Sequence, residues 1–422
     1  MIIISNGHDK FHMGRAAVEL AKLHLLDLYI TGAYPTGLIK KLTNLFKLNN
    51  KFPSIDRLIK REESGLPSIS IRSLWLSEIL NQLSSIINSR TSKKNIAEKI
   101  KVIALKLYGS QSKSLISSTQ SKIYHYRAGY GHTSVDIAKD MGLVPLCDYS
   151  IAHPSLVDYL IDNKGLIPLH PNYSELSPFW RYIQEDINRS NHVLVNSQFV
   201  KDTFTLQGWD PNRVHVAYLG IDDEFLDASN YHYERKEHTK GFLKDSSNSI
   251  KLLFAGEFCN RKGSEEIVKA LFSLTDISWT LDIAGPISKH VENRYKNFLL
   301  DGRICIKGVL SRFELARCMS EADIFIFPSL AEGSARVIFE ALVSGCYVIT
   351  TPNSGSIVED GIHGALINAG DSSALMAALK NASSNFEKIK KIGLNNRKLV
   401  VSKFTQEKYG EELIKIYKKI II

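Results

Sequence analysis

Residues 324–350 read Ile-Phe-Ile-Phe-Pro-Ser-Leu-Ala-Glu-Gly-Ser-Ala-Arg-Val-Ile-Phe-Glu-Ala-Leu-Val-Ser-Gly-Cys-Tyr-Val-Ile-Thr. An uncut apolar run, Ile324–Phe327, is followed by a loop. A helical pattern then covers Ala335–Val343, a Ser-Gly turn ends it, and a second apolar run covers Tyr347–Thr350. Strands that are apolar at every position are buried on both faces, which is the mark of a parallel sheet with helices above and below. Working outward, Leu252–Ala255, Trp279–Ala284, Ile304–Ile306 and Ala365–Ile367 read as further strands, with Glu265–Leu274 and Arg312–Ser320 as helices between them. Strand-helix alternation of this kind predicts an α/β domain with a parallel sheet. The N-terminal half repeats the plan more loosely. Strands are expected at Ile2–Ile4, Leu28–Thr31, Ile123–Tyr126, Val144–Cys147, Val193–Asn196 and Val214–Tyr218, with a helix over Gly14–Leu23. Two Rossmann-like halves follow.

Composition fits that reading. At about 150 residues per domain, 422 residues make two to three domains. Hydrophobic residues at 44% and charged residues at 23% exclude a disordered or fibrous chain. The start, Met-Ile-Ile-Ile-Ser-Asn-Gly, has no basic region and too short an apolar run for a signal peptide. The one uncharged stretch of membrane length, Ala341–Val358, is interrupted by turn residues. The expected location is therefore the cytoplasm. Five scattered cysteines with no Cys-x-x-Cys pair point to neither a disulfide framework nor a zinc site. The net charge of +9 is unevenly spread: residues 40–122 hold 16 Lys and Arg against 5 Asp and Glu, a net of +11. A basic face this local suggests an anionic partner such as a membrane surface or a phosphorylated substrate. No nucleic-acid recognition motif or aromatic platform accompanies it, so nucleic acid is not expected.

Three segments stand outside the alternation. Asp222–Ser249, polar throughout, reads as a linker or irregular insert. Residues 38–115 form a basic helical insert. In it Ile71, Leu74, Trp75, Ile79, Leu83 and Ile86 recur at helical spacing, and Leu38–Phe52 interleaves apolar residues with lysines in a pattern suited to an anionic membrane or to an ordinary core-packed helix. Tyr409, Leu413, Ile416, Tyr417 and Ile420 form the stripe of a final helix that should pack back on the first domain. The expected division is an N-terminal domain over 1–218, a second domain over 219–403 and a terminal helix over 404–422.

Four pieces of the second half carry chemistry. Ala255-Gly256-Glu257-Phe258-Cys259-Asn260-Arg261-Lys262-Gly263 leaves a strand and enters a helix. Such a turn presents backbone N–H groups and a positive helix end, and two adjacent cations suit a diphosphate. Glu332 and Glu340 stand with seven residues between them, across a loop and the following helix, with Gly333 and Ser334 expected to open that helix. Lys307-Gly308-Val309 and Leu281-Asp282-Ile283-Ala284-Gly285-Pro286 are further strand ends. The crevice beyond the carboxyl ends of parallel strands is where such sheets bind ligands.

Together these resemble the donor domain of family 4 of the GT-B glycosyltransferases. The resemblance rests on Gly256…Lys262-Gly263, Gly285-Pro286, Pro328-Ser329, Glu332…Glu340, Gly345-Cys346-Tyr347-Val348-Ile349 and Asp360-Gly361-Ile362-His363-Gly364, in order and at fitting intervals, with Val195-Asn196-Ser197 and Tyr218-Leu219-Gly220-Ile221-Asp222 at the domain junction. It covers residues 190–380 well. It implies GT-B architecture, two Rossmann-like domains whose parallel sheets face across a cleft. It also implies a retaining transfer of sugar from a nucleotide diphosphate sugar without a metal or cofactor. Arg261 and Lys262 would hold the diphosphate, and Glu332 the donor sugar, beside the N–H groups of Ser334 and Ala335. Glu340 would hold the ribose, and the main chain of Lys307, Gly308 and Val309 the base. Gly256 would shape the turn, and Gly14 would admit the donor phosphate from the first domain. Glu257 stands where many relatives have Arg, and Ser334-Ala335 where Phe-Gly is common.

The first half offers less. Gly129-x-Gly131-x-x-Ser134 looks like a truncated dinucleotide fingerprint, and Asp148 to Pro154 follows a strand. His153, with Arg127 as second choice, is the acceptor-side candidate. The acceptor expected is a glycan or lipid-linked glycan of cell-surface polysaccharide synthesis, reached from the inner membrane face through residues 38–122. The competing readings are a non-catalytic nucleotide-sugar binder and a related phosphorylase or epimerase.

Overall fold

The computed structural model describes residues 1–9, 11–35, 58–90, 94–117, 121–171, 175–239 and 249–421, with residues 37, 55 and 119. All of Leu38–Phe52 lies outside them. The first sheet is built from β1 (Ile2–Gly7), β2 (Leu26–Thr31), β3 (Ile71–Ser73), β4 (Ile123–Arg127), β5 (Val144–Tyr149), β6 (His192–Val195) and β7 (Val214–Val216). Its helices are α1 (Met13–Lys22), α2 (Trp75–Arg90), α3 (Lys94–Ile116), α4 (Thr133–Asp140), α5 (Val157–Asp162), α6 (Pro178–Asn188) and α7 (Gln198–Leu206). A long helix, α8 (Asp223–Thr239), leads to the second sheet, formed by β8 (Ile250–Ala255), β9 (Trp279–Ala284), β10 (Ile304–Gly308), β11 (Ile324–Phe327), β12 (Tyr347–Thr350) and β13 (Gly364–Leu366). Around it lie α9 (Ser264–Phe272), α10 (Lys289–Arg294), α11 (Lys296–Leu299), α12 (Arg312–Glu321), α13 (Arg336–Val343), α14 (Ser372–Ser384), α15 (Phe386–Lys403) and, last, α16 (Gln406–Ile421).

All strand pairs in both sheets are parallel. The orders are β3-β2-β1-β4-β5-β6-β7 and β10-β9-β8-β11-β12-β13. Each order reverses once, between β1 and β4 and between β8 and β11. Loops on either side of such a reversal leave the sheet in opposite directions and open a crevice. Of the strands beside these points, β1 and β11 are buried along their whole length and β4 and β8 at all but one position, so the crevice floors are rigid.

Two expectations are corrected. Within the expected insert Asp222–Ser249, the residues Asp223–Thr239 form a regular helix, α8, and residues 240–248 lie outside the described ones. Asp222 starts it by accepting the N–H of Phe225 at 2.9 Å, and Phe225, Ala228 and Ser229 are buried. Ile71 and Leu74 do not belong to the helix that follows. Ile71 is in β3, paired with Tyr29 of β2, and α2 starts at Trp75. The face that α2 buries is partly polar, with Ser77, Glu78, Asn81 and Ser84 inside, while Trp75, Leu76, Ile79, Leu83 and Ile86 are exposed.

The chain crosses between the sheets at residues 217–222 and returns at 403–406, where Ile221 donates its N–H to Phe404 O at 2.8 Å. From there α16 packs Tyr409, Leu413, Ile416, Tyr417 and Ile420 into one cluster with Ile2, Ile4, Met13 and Leu20 of the first sheet and α1. Among the described residues no helix is long and apolar enough to cross a membrane.

Candidate functional site

Both loops that flank the β8/β11 reversal bear residues singled out in the sequence, and they are stitched to each other. After β8, Asn260–Lys262 makes one 3-10 turn that ends on Gly263. The Arg261 carbonyl accepts from Leu330 N at 2.8 Å and from Ser329 Oγ at 3.0 Å. Gly263 has φ +83, in the left-handed region, and a Cβ there would overlap the Pro328 carbonyl, so the turn admits only glycine without strain.

This stitching brings three side chains together. Arg261 Nη1 lies 2.6 Å from Glu332 Oε1 and also donates to Ala331 O at 2.9 Å. Lys262 Nζ lies 3.2 Å from the same Glu332 oxygen and 5.0 Å from the centre of the Phe327 ring. All three are largely buried, with side-chain exposures of 32%, 17% and 16%. Two cations share one carboxylate, so the group carries a net positive charge. Gly256 lies beside the Lys262 stem, and Gly285 packs on the Gly256 carbonyl. The ends of β8 and β9 thus form one ledge.

Glu340 takes a different position. It is 2% exposed on α13, with Oε1 accepting from Arg312 Nη1 at 2.6 Å. Its Oε2 is buried without a partner. Arg312 continues to Asp222, which also accepts from Arg336 Nη2 at 2.6 Å and lies 4.0 Å from Arg15 of the first domain. An ionic chain therefore runs from Glu340 to α1. Asp222 ends the junction segment Tyr218–Asp222, but nothing in the sequence pairs it with Arg312; they meet because α8 and α12 pack side by side.

The loop before α13 departs from expectation. The helix begins at Arg336, so Gly333 and Ser334 do not open it. Ala335 donates its N–H to Ser354 O at 2.9 Å, so that donor is not available to a sugar. Gly333 is an interdomain contact: its carbonyl accepts from Ser197 Oγ at 2.5 Å, and a Cβ there would overlap Ser150 O. The Ser334 hydroxyl remains, buried and unpartnered. Lys307, Gly308 and Val309 close edge strand β10. Lys307 pairs with Asp282 at 3.4 Å, Gly308 adopts φ +65 in open space, and Val309 is 82% exposed.

Across the cleft, the ends of β4 and β5 hold a second cluster. Asp148 is 2% exposed. It accepts from His12 Nε2 at 2.8 Å and Arg127 Nη1 at 2.6 Å, with His125 Nε2 at 3.6 Å. Burial pushes its carboxyl up, but His12, His125 and Arg127 outweigh that and hold it well below the usual range. Arg127 also donates to Ser150 Oγ at 2.8 Å and lies over Phe11. Arg127 thus belongs to this cluster, whereas His153 does not. It is 2% exposed, its Nδ1 is 2.8 Å from Ser155 Oγ, and its ring packs on Phe204 in the core. Burial lowers its pKa to about 4. Asp148 and His12 were missed because they converge from β5 and α1, far apart in the chain.

Gly14 is in the first turn of α1, with the Glu63 side chain 2.9 Å from where its Cβ would stand. The Gly129–His132 turn is no phosphate cradle: the Asp186 carboxylate already accepts the N–H groups of Gly129, Gly131 and His132 at 2.6, 3.0 and 2.6 Å.

Residues 249–385 match the family model described as glycosyl transferases group 1. The chain is 30% identical to the amylovoran biosynthesis glycosyltransferase AmsK of Erwinia amylovora over 226 residues, 50% of this chain and 52% of that protein. It is 25% identical to the capsular polysaccharide biosynthesis glycosyltransferase CapM of Staphylococcus aureus, over 54% of this chain and 58% of that one. The chain spans about half the length of these curated relatives. Its fold matches that of Anabaena HepE, solved in complex with UDP and glucose, at a TM-score of 0.60 and 15% identity over 99% of both chains. A glycosyltransferase from Rickettsia africae superposes with a TM-score of 0.62 and 18% identity over 100% of this chain and 98% of that one. The architecture is GT-B.

Proposed function

With a group 1 glycosyl transferase segment over residues 249–385 set in a GT-B fold, we propose that this chain transfers a sugar from a nucleotide diphosphate sugar to a glycan or lipid-linked acceptor, with retention, in polysaccharide biosynthesis. The observation that carries the reading is the Arg261–Lys262–Glu332 group at the β8/β11 reversal.

Glycosyl transfer builds positive charge on the anomeric carbon and negative charge on the departing diphosphate. Fixed cations aimed at the leaving group lower that barrier. Arg261 and Lys262 are fixed in this way, by a short turn, a Phe327 face and hydrogen bonds to the facing loop. Glu332 spaces the two cations and offers carboxylate oxygens to sugar hydroxyls. The buried Oε2 of Glu340, whose other oxygen Arg312 holds, suits a ribose hydroxyl donor. The 307–309 main chain then takes the base. On the acceptor side, Arg127 and His12 present donors on the rim of the first sheet, oriented by Asp148. No nucleophilic side chain is required; the work is placement and charge.

Two features support an acceptor at a membrane face: the net basic charge of residues 40–122 and the outward apolar row Trp75, Leu76, Ile79, Leu83 and Ile86 on α2. Co-sedimentation with anionic vesicles that weakens with salt is expected, and indifference to both lipid charge and salt would count against it. The main test is a panel of nucleotide sugars screened by thermal shift, then turnover with the best stabiliser. A nucleotide sugar that stabilises the protein yet is never consumed with any glycan acceptor would favour a binding protein instead.

A further inference from the structure

We propose that a small cavity beside the interdomain crossing is a second oxyanion site, shaped for one phosphate group and separate from the Arg261–Lys262 turn. The cavity measures about 120 Å³ and none of Arg261, Lys262, Glu332 or Glu340 lines it. The space has room for a group of several heavy atoms such as a phosphate.

Its wall gathers hydrogen-bond donors from three separate helix starts: His12 just before α1 and Arg15 within it, Arg336 at the start of α13, and Gln406 and Tyr409 at the start of α16. Arg15 Nη1 donates to Gln406 Oε1 at 3.3 Å, which leaves the amide nitrogen as the free end of that side chain. That Nε2 is buried and has no partner, and neither has the hydroxyl of Tyr409, a residue only 3% exposed. An orphaned buried donor is unfavourable. Two of them on one cavity wall form an arrangement that an acceptor with several oxygens satisfies.

Charge points the same way. Arg15 and Arg336 face a single carboxylate, Asp222, and Arg312 uses it as well. Among the described residues Glu63 is the one carboxylate on the wall, outnumbered by the two guanidiniums. Guanidinium groups pair with phosphate through two parallel N–H bonds, and donors arriving from three helices match a tetrahedral ion better than a planar carboxylate. The bound phosphate is either a free ion or one carried by the acceptor. In both cases it bridges α1 and α13, hence the two sheets. The site stands whether or not the chain transfers sugars.

The test is calorimetric titration of inorganic phosphate into the full-length protein, alone and with the nucleoside diphosphate that stabilises it most. The expected result is saturable phosphate binding in both conditions. It should weaken at least tenfold in Arg336→Met and in the milder Gln406→Leu, and stay unchanged in Lys262→Met, with thermal melts confirming that each variant is folded. Repeating the titration with a hexose 1-phosphate separates the sources: tighter binding assigns the site to a phosphorylated acceptor and equal binding to the free ion, and either result keeps the site. No phosphate binding by the native protein, loss of binding in Lys262→Met, or displacement by the nucleotide overturns the proposal.

Discussion

Replacing Lys262 with Met removes one positive charge while keeping the stem that lies over Phe327. In the native arrangement Arg261 and Lys262 share Glu332 at 2.6 and 3.2 Å, so the group carries about one net positive charge toward a ligand. In the variant the Arg261–Glu332 pair persists and the net charge falls to zero. Two unit charges 4 Å apart at an effective dielectric of about 20 interact by about 4 kcal/mol. Because Lys262 is already partly neutralised, roughly 3 kcal/mol of leaving-group stabilisation is lost. That is a fall of about 150-fold in kcat/KM. Charge on the diphosphate grows toward the transition state, so most of the loss belongs in kcat and little in KM. Steady-state kinetics with the preferred nucleotide sugar measures both. Because the side chain is 17% exposed and its stem is retained, the melting temperature should barely move. A folded Lys262→Met enzyme working within threefold of native would refute the assignment of this turn to the leaving group.

Three further outcomes follow from other parts of the structure. Glu332→Gln leaves both cations unopposed, so nucleoside diphosphate alone should bind several-fold tighter while turnover falls at least tenfold; calorimetry and kinetics on one preparation check the opposed signs. Gly263→Ala places a methyl against the Pro328 carbonyl at a left-handed φ, which should cost about 2–4 kcal/mol and lower the melting temperature by roughly 5–10 °C. Burial depresses His8 and His153 from 6.5 to about 4. The unfolded chain then binds more protons than the native one between those values, so stability should fall as pH drops from about 6.5 to 4, by up to about 1.4 kcal/mol per pH unit for each residue. Urea titrations across that range show it, and His153→Gln should flatten the slope.

How much of this was visible in the chain depends on which physics set each feature. The uncut runs Ile324–Phe327 and Tyr347–Thr350 match β11 and β12 to the residue, since burial on both faces leaves a composition nothing else explains. Strand β3 was hidden, because Ile71–Ser73 is too short to show a period and its sequence runs on into α2. Helix α8 was masked by its polar surface, although Asp222 followed by buried Phe225 and Ala228 is the trace of a cap and an inner face. In the site, residues close in sequence were legible: Arg261, Lys262 and Glu332 lie on two loops that a single sheet reversal brings together. His153 failed because a histidine after a strand reads the same whether it faces a cleft or packs on Phe204. Asp148, His12, Arg312 and Asp222 work through partners more than 80 residues away, and only the folded topology joins them.

A crystal structure of this chain with its preferred nucleoside diphosphate examines the central claim most directly. The diphosphate should lie within hydrogen-bonding distance of Arg261 and Lys262, with a ribose hydroxyl on Glu340 Oε2. Nucleotide density lodged elsewhere, with the Arg261–Lys262–Glu332 group untouched, would contradict it.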